Sequence, residues 1–425
     1  MLLKRHIIIG ICGGIACYKA VELVSQLQQA GALVDVVMTE HAEDFVRPLT
    51  FATMSHRPVY TDLWEPSGKA AETHIALAEA AELLVIVPAT AHTIAKLAQG
   101  MADNMLTAVA LATNASLLLA PAMYKEMYTH SATQANLALL RERGAYVVEP
   151  EVGRLASGAV GPGRLPGTDI LLGAIQMVLG RNGDLAGRRV VITAGGTQEP
   201  IDPVRYVGNR SSGKMGYALA TEARDRGAHV ILITGPVALP VPYSVELHRV
   251  ETAIQMRDAV YHFITDADVL VMSAAVADFR PAVAAAQKIK KSGAGAHESN
   301  DDRSQDFSVR FVQNPDILQE LAIKLHESPD PINGTVHAQR PKKGLIRVGF
   351  AAETEQLLSN AQAKLRRKRL DLLVANDVAR SDSGFGADTN KVYIFHANGA
   401  VEDLPVMPKT GVAAMIWDRV VPLLS

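Results

Sequence analysis

The chain states one structural phrase twice: an apolar strand, a glycine turn, a helix stopped by glycine, and a second apolar strand. The first copy runs from a strand at 6–11 through Gly13-Gly14 into a helix at 15–30, ends at Gly31, and resumes as a strand at 33–38. The second runs from a strand at 189–193 through Gly195-Gly196 to a helix at 214–226, stopped by Gly227, and then a strand at 229–234. Further apolar runs at 83–87, 116–120 and 146–148 read as strands with helical segments between them. Buried strands that alternate with helices make a parallel sheet with helices on both faces. Two such openings in 425 residues imply two α/β domains. The polar, turn-rich Arg181-Asn182-Gly183-Asp184 marks the boundary, giving domains 1–183 and 184–425.

Composition narrows the class of protein. A charged fraction of 20% and a net charge of −2 give no electrostatic case for a nucleic-acid partner. The two cysteines, Cys12 and Cys17, exclude a disulfide scaffold and fit a reducing compartment. The longest apolar stretch, 106–123, is broken by Asn114, Ser116 and Pro121, so it reads as a buried helix and strand rather than a membrane span. The opening residues show no signal-peptide cleavage pattern, and the expected compartment is the cytoplasm.

Chemistry-bearing motifs fall where strands end. Gly10-Ile11-Cys12-Gly13-Gly14-Ile15-Ala16 joins a strand to a helix, where backbone N–H groups and the helix N-terminus favour an anion. It is not the G-x-G-x-x-G dinucleotide fingerprint. Thr39 and Pro88-Ala89-Thr90 end two other strands, the usual place for a ligand crevice in an open α/β sheet; Thr90 is equally a helix cap. His74 precedes an Ala-rich helix. Residues 151–166 carry four glycines with Arg154 and Arg164, either a flap over a ligand or an irregular loop.

In the second half, Asn209-Arg210-Ser211-Ser212-Gly213-Lys214 opens a helix with N–H groups, hydroxyls and a cation, without the spacing of a P-loop. The strand at 270–273 leads into Ala274-Ala275-Val276-Ala277-Asp278; an Asp past a strand end suits a metal ion or a ligand hydroxyl. Asn314-Pro315-Asp316-Ile317 starts a helix, with Asn314 as a candidate cap. Phe350 follows another apolar strand, and Lys364 and Lys368 share one helix face. Segments 292–306 and 326–343 read as long loops, each a functional lid or a tolerated insertion; Lys288 to Lys291 at the base of the first favour a lid there.

Taken in order, Gly13-Gly14-Ile15-Ala16, His74, Pro88-Ala89-Thr90, Ala102-Asp103-Asn104, Pro121-Ala122-Met123 and the glycine-rich flap resemble the flavin-dependent phosphopantothenoylcysteine decarboxylases. The second-half motifs resemble the phosphopantothenate–cysteine ligases, and the whole chain resembles the bacterial bifunctional decarboxylase–ligases. The resemblance implies two Rossmann-like α/β domains, a flavoprotein-type parallel sheet and then a ligase-type domain. It places FMN at Gly13, Gly14, Thr39, Pro88, Ala89 and Thr90, in an enzyme that oxidises the substrate's cysteine thiol so that the carboxylate can leave. His74 is implied in those steps. Two positions depart from the family: Tyr124 stands where the family's Asn grips the substrate carboxylate, and Ser157 where a flap Cys returns a proton. A second reading therefore makes the first half an impaired module that binds flavin or serves assembly.

For the ligase half the resemblance implies that Asn209 handles an acyl-cytidylate and supports its conversion. It assigns CTP to Ser273, Ala274, Asp278, Lys288, Asn314, Pro315, Asp316, Ile317, Phe350, Lys364 and Lys368, with Lys288 on a lid over the phosphates and Mg²⁺ beside them. It further implies a homo-oligomer, from trimers of the first domain and dimers of the second, two symmetries that can combine in a dodecamer.

Overall fold

A computed structural model of the chain describes residues 2–64, 73–289, 308–324, 344–353, 357–377 and 386–424. The chain forms two compact units, Met1–Arg181 and Asn182–Ser425. The candidate loops 292–306 and 326–343 lie outside the described residues, as do Lys290 and Lys291. Among the described residues no helix is long and apolar enough to cross a membrane.

The first unit begins β1 (His6–Ile11), α1 (Cys17–Gln29), β2 (Leu33–Met38), α2 (Pro48–Ser55) and β3 (Val59–Tyr60). It continues with α3 (Thr73–Ala80), β4 (Leu83–Ala89), α4 (Ala91–Gln99), α5 (Met105–Ala112) and β5 (Ser116–Pro121). Then come α6 (Lys125–Thr129), α7 (Ser131–Glu142), β6 (Tyr146–Val147), β7 (Glu151–Arg154), β8 (Val160–Arg164) and α8 (Thr168–Gly180). Six strands make a parallel sheet in the order β3-β2-β1-β4-β5-β6. The chain leaves β1 toward one edge and then restarts at β4 toward the other, so the topological switch point lies between β1 and β4. Ile8, Leu84, Ile86 and Leu119 pack with Ile94, Leu106, Val109 and Leu137 from α4, α5 and α7. Their strand neighbours Ile7, Ile9 and Val85 are also fully buried, as the alternation of a sheet covered on both faces requires.

Two local expectations change. His74 lies within α3 rather than ahead of it. The glycine-rich segment 151–166 contains an antiparallel hairpin, β7 with β8, with a register shift at Glu151/Val152, rather than an irregular loop. Its attachment explains Gly163. Met123 N donates to the Gly163 carbonyl at 3.0 Å. A Cβ on Gly163, whose φ is +131°, would stand 2.1 Å from the Met123 carbonyl oxygen. Only glycine permits that approach.

The second unit contains β9 (Arg189–Ala194), β10 (Gln198–Pro200), β11 (Tyr206–Gly208), α9 (Lys214–Asp225), β12 (His229–Thr234) and β13 (Glu246–Arg249). Next are α10 (Ala253–Phe263), β14 (Val269–Met272), β15 (Phe279–Pro281), β16 (Phe311–Gln313), α11 (Ile317–Lys324) and β17 (Ile346–Glu353). The unit closes with α12 (Leu357–Arg367), β18 (Leu372–Asp377), β19 (Thr389–Asn390), β20 (Val392–His396), β21 (Val401–Asp403), β22 (Met407–Pro408) and α13 (Lys409–Val420). The main sheet has the order β13-β12-β9-β14-β17-β18-β20-β21, with its switch point between β9 and β14. It is mixed: β20 and β21 join antiparallel at one edge. Val190 and Ile192 belong to a core with Leu219 of α9 and Trp417 of α13, whereas Val191 belongs to a second core with Met256 of α10 and Leu321 of α11. One strand therefore feeds both faces. Gly216 lets α9 press against β9: a Cβ there would meet Ala194 Cβ at 2.5 Å and Ser273 Oγ at 2.8 Å.

Candidate active sites

In the first unit the turn after β1, the residues after β4 and β5, and the β7–β8 hairpin surround a cavity of about 660 Å³. It lies beyond the carboxyl ends of the strands, beside the switch point, as expected for a ligand of an open α/β sheet. Gly13 is required by packing, because a Cβ would fall 2.7–2.8 Å from His41. Gly14 faces open space, which leaves the backbone before α1 accessible to an anion. Thr90 both lines the cavity and caps α4, its hydroxyl accepting from Thr93 N at 3.3 Å. Asn104 caps α5 in a capping box with Thr107.

Of the residues singled out in the first half, the structure brings Gly13, Gly14, Thr90, Tyr124 and Ser157 to this cavity. Ser157 is at the exposed tip of the hairpin. Thr39 follows β2, and Pro88 and Ala89 are buried within β4; these three do not line it. Nor does His74, half-buried on α3. Sequence reasoning missed Lys19. Its ammonium donates to the Leu165 carbonyl at 2.9 Å and shares the cavity wall with Arg154 and Arg164. Burial and the like charge of Arg164 hold Lys19 below its usual range. A lysine in the first turn of a helix carries no sequence signal of the direction it faces.

In the second unit the loops after β9 and β14 are laced together. Thr197 N donates to the Ala275 carbonyl at 3.3 Å, Ala275 N to Gly195 at 2.8 Å, and Ala277 N to the buried Thr197 hydroxyl at 2.9 Å. Asn209 Nδ2 donates to the carbonyls of Ala275 and Val276 at 3.3 and 3.2 Å. Ser273 Oγ donates to the Thr193 carbonyl at 2.6 Å. Asn209, Ser273 and Ala274 thus meet at the switch point.

Asn314 is buried and spent on structure: Nδ2 donates to the Ala277 carbonyl at 2.8 Å, and Oδ1 accepts from Arg280 at 3.0 Å. The cap of α11 is Asp316 rather than Asn314, since Gln319 N donates to Asp316 Oδ1 at 3.2 Å. Asp316 also pairs with Lys368 at 2.8 Å. Lys364 Nζ donates to the Phe350 carbonyl at 3.2 Å. Asp278, exposed, is joined to the same turn through Asn314 N at 2.8 Å. Pro315 and Ile317 flank Asp316 in that turn. Lys214 is paired with Asp388 at 2.6 Å. Lys288 is exposed on a separate segment.

Residues 1–180 match the family model described as flavoprotein, and residues 185–423 the one described as DNA/pantothenate metabolism flavoprotein C-terminal domain. A coenzyme A biosynthesis bifunctional protein CoaBC from Bacillus subtilis is 43% identical over 426 residues, covering 100% of this chain and 98% of its own length. The chain belongs to the CoaBC family. The CoaBC of Mycobacterium bovis is likewise 43% identical, over 432 residues, with 100% and 98% covered. Among solved structures, the C-terminal domain of a CoaBC is 33% identical with a TM-score of 0.43, covering 57% of this chain and 98% of that one. The relatives of the full chain are bifunctional by name, and the reading of an impaired first half finds no support in them.

Proposed function

We propose that the chain performs two consecutive steps of coenzyme A biosynthesis: CTP-dependent ligation of phosphopantothenate to cysteine, then decarboxylation of the product to phosphopantetheine. The observation that carries this reading is the match of both halves, end to end, to bifunctional relatives. A crevice at the switch point of the first unit and a laced pair of loops at that of the second support it.

For ligation, the carboxylate of phosphopantothenate attacks the α-phosphorus of CTP and pyrophosphate leaves. The amine of cysteine then attacks the acyl carbon, an amide bond forms, and CMP departs with a proton released. Asn209 stands at the meeting of the two loops, where it handles the acyl-cytidylate. Ser273, Ala274, Asp278 and the 314–317 turn hold the nucleotide, with Phe350, Lys364 and Lys368 beside them. Lys288 neutralises phosphate charge. Among the described residues no group of three or more His, Cys, Asp or Glu could hold a metal ion. We assign Mg²⁺ to the nucleotide's own phosphates, because it keeps most of its waters and needs few protein ligands.

The cavity of the first unit fits FMN in volume and lining: an open glycine turn at a helix start for the phosphate, and a largely apolar wall for the ring. Bound there, FMN supplies the two-electron oxidation and return that make the thiol-bearing carbon an electron sink. Tyr124 presents its hydroxyl to the substrate carboxylate, and Ser157 on the flap serves the final proton return. His74 lies outside the cavity of its own chain; the homo-oligomer that the family resemblance implies would have to bring it to the cavity of a second copy. Exposed Phe45, Leu49 and Trp64 supply apolar surface for such assembly. Two buried free cysteines suit a reducing cytoplasm.

The test supplies phosphopantothenate, cysteine, CTP and Mg²⁺ and follows CMP, CO₂ and phosphopantetheine. Absence of CMP would sink the ligase reading, and accumulation of the cysteine adduct the decarboxylase reading. Replacing Lys288 with Gln is expected to lower ligation about 100-fold or more with the fold intact, since charge neutralisation of that kind typically supplies such a factor. Near-normal turnover would remove Lys288 from the site.

A further inference from the structure

Lys288 stands on a segment that has left the sheet after β15, and its own side chain is exposed. Yet the backbone on either side of it is tied down. Ala285 N donates to the Ile201 carbonyl at 2.9 Å. Ile289 N donates to Asp202 Oδ2 at 3.1 Å, and the Ile289 carbonyl accepts from Arg205 at 2.9 Å. Both anchors belong to the turn 201–205, closed by Ile201 N donating to the Arg205 carbonyl at 2.8 Å.

The centre of the arrangement is one carboxylate. Asp202 is 3% exposed, and its two oxygens accept from Val204 N at 2.8 Å, Arg205 N at 2.9 Å, Arg205 Nε at 3.0 Å and Ile289 N. The Arg205 guanidinium holds the Asp202 carboxyl well below the usual carboxylate range, so the acceptor stays charged through the neutral range. A charged acceptor with that many donors is a stiff anchor. Among the described residues its contact with the Lys288 segment is to Ile289 N, the residue after the lysine.

We propose that Asp202 is a positioning residue of the ligase: it fixes the pivot from which Lys288 reaches the triphosphate, and so acts on cytidylyl transfer rather than on the later attack of cysteine. The inference rests on the assignment of Lys288 above. A long, rotamer-rich lysine can neutralise a developing charge efficiently only when its backbone is already in place. Asp202→Asn replaces one acceptor oxygen with an amide that cannot accept from Ile289 N while remaining close in size.

The experiment uses the full chain and separates the two half-reactions. Pyrophosphate release from CTP and phosphopantothenate, without cysteine, reads the first. Single-turnover reaction of cysteine with the accumulated acyl-cytidylate reads the second. Asp202→Asn is expected to slow the first at least tenfold and leave the second within twofold. Amide exchange at Ala285 and Ile289 should rise while that of β9 and β14 stays as in the unaltered protein. Equal slowing of both half-reactions means a general structural lesion and overturns the inference; so does faster exchange at Ile289 with a normal first step. Should Asp202→Asn fail to fold, Arg205→Met decides, since it removes the guanidinium from both the Ile289 carbonyl and Asp202 Oδ2 but leaves the backbone N–H groups of Val204, residue 205 and Ile289 on the carboxylate. It must then show the same split. An unaltered protein that releases no pyrophosphate would instead refute the ligase reading itself.

Discussion

The residue that most sharpens the chemistry of the first unit is Ser157. Both cysteines of the chain lie elsewhere: Cys12 is fully buried with its thiol pushed up to about 11 by burial, and Cys17 is buried with its thiol raised for the same reason, donating to the Cys12 carbonyl at 2.9 Å. Neither can stand in for a thiol on the flap. A serine hydroxyl does not ionise in the working range, so the proton return proposed for Ser157 would depend on relay from solvent and bring no ionisation of its own near neutrality. Ser157→Ala is expected to slow formation of phosphopantetheine about tenfold by removing the relay. Ser157→Cys should retain the step below the ordinary thiol pKa of about 8.5 and lose it above, because only the protonated thiol donates. A rate profile for Ser157→Cys that follows the serine enzyme across pH 7–10 would place this side chain outside proton transfer. The same residues mark what sequence can convey. Ser157 and Tyr124 were legible because they occupy positions in ordered motifs. The places of Lys19 and Asp202 were not, nor was the pairing of Asp316 with Lys368, two residues singled out separately, because each depends on which way a side chain faces and on contacts reaching across tens of residues.

At the scale of elements, the strand–helix alternation was readable because continuous apolar runs have few other uses. The first unit's parallel sheet follows from it. What escaped were the hairpins. The flap β7–β8 is rich in glycine and carries exposed Val152 and Val160, so neither composition nor alternation marks it as strand. The antiparallel edge of β20 and β21 was missed for another reason: three-residue and five-residue strands carry too little pattern to assign pairing direction. The flap's docking yields a prediction at this scale. In Gly163→Ala the new methyl cannot coexist with the Met123 carbonyl at 2.1 Å, so the hairpin must lift from the residues that carry Tyr124. Decarboxylation should fall about tenfold or more. The local strain of a non-glycine residue at that φ adds about 1 kcal/mol. CO₂ release and CMP formation measured in one preparation check it: a matched loss of both activities would mean that the substitution damages more than the flap.

For the whole molecule, the question is whether the two activities need one another's fold. The cores answer it in physical terms. Among the described residues, the apolar cluster around Ile8, Leu84 and Leu119 is built from residues of the first unit, and the two clusters flanking β9, around Trp417 and around Met256, from residues of the second. Hydrophobic burial is the dominant favourable term in folding, and chains of roughly 180 and 240 residues exceed the size at which a single core becomes self-sufficient. Cleavage of the gene between Arg181 and Asn182 should therefore give two folded proteins. The 182–425 protein is expected to unfold cooperatively in urea and to make CMP at a rate within about threefold of the full chain, since Asn209, Lys288 and the 314–317 turn are all its own. The 1–181 protein is expected to be yellow as purified, because the glycine turn, Thr90 and the flap that would hold FMN are complete within it. A 182–425 protein that unfolds without a cooperative transition, or folds but makes no CMP, would mean that the second activity requires the first unit after all, and with it a division of labour that the separate cores do not predict.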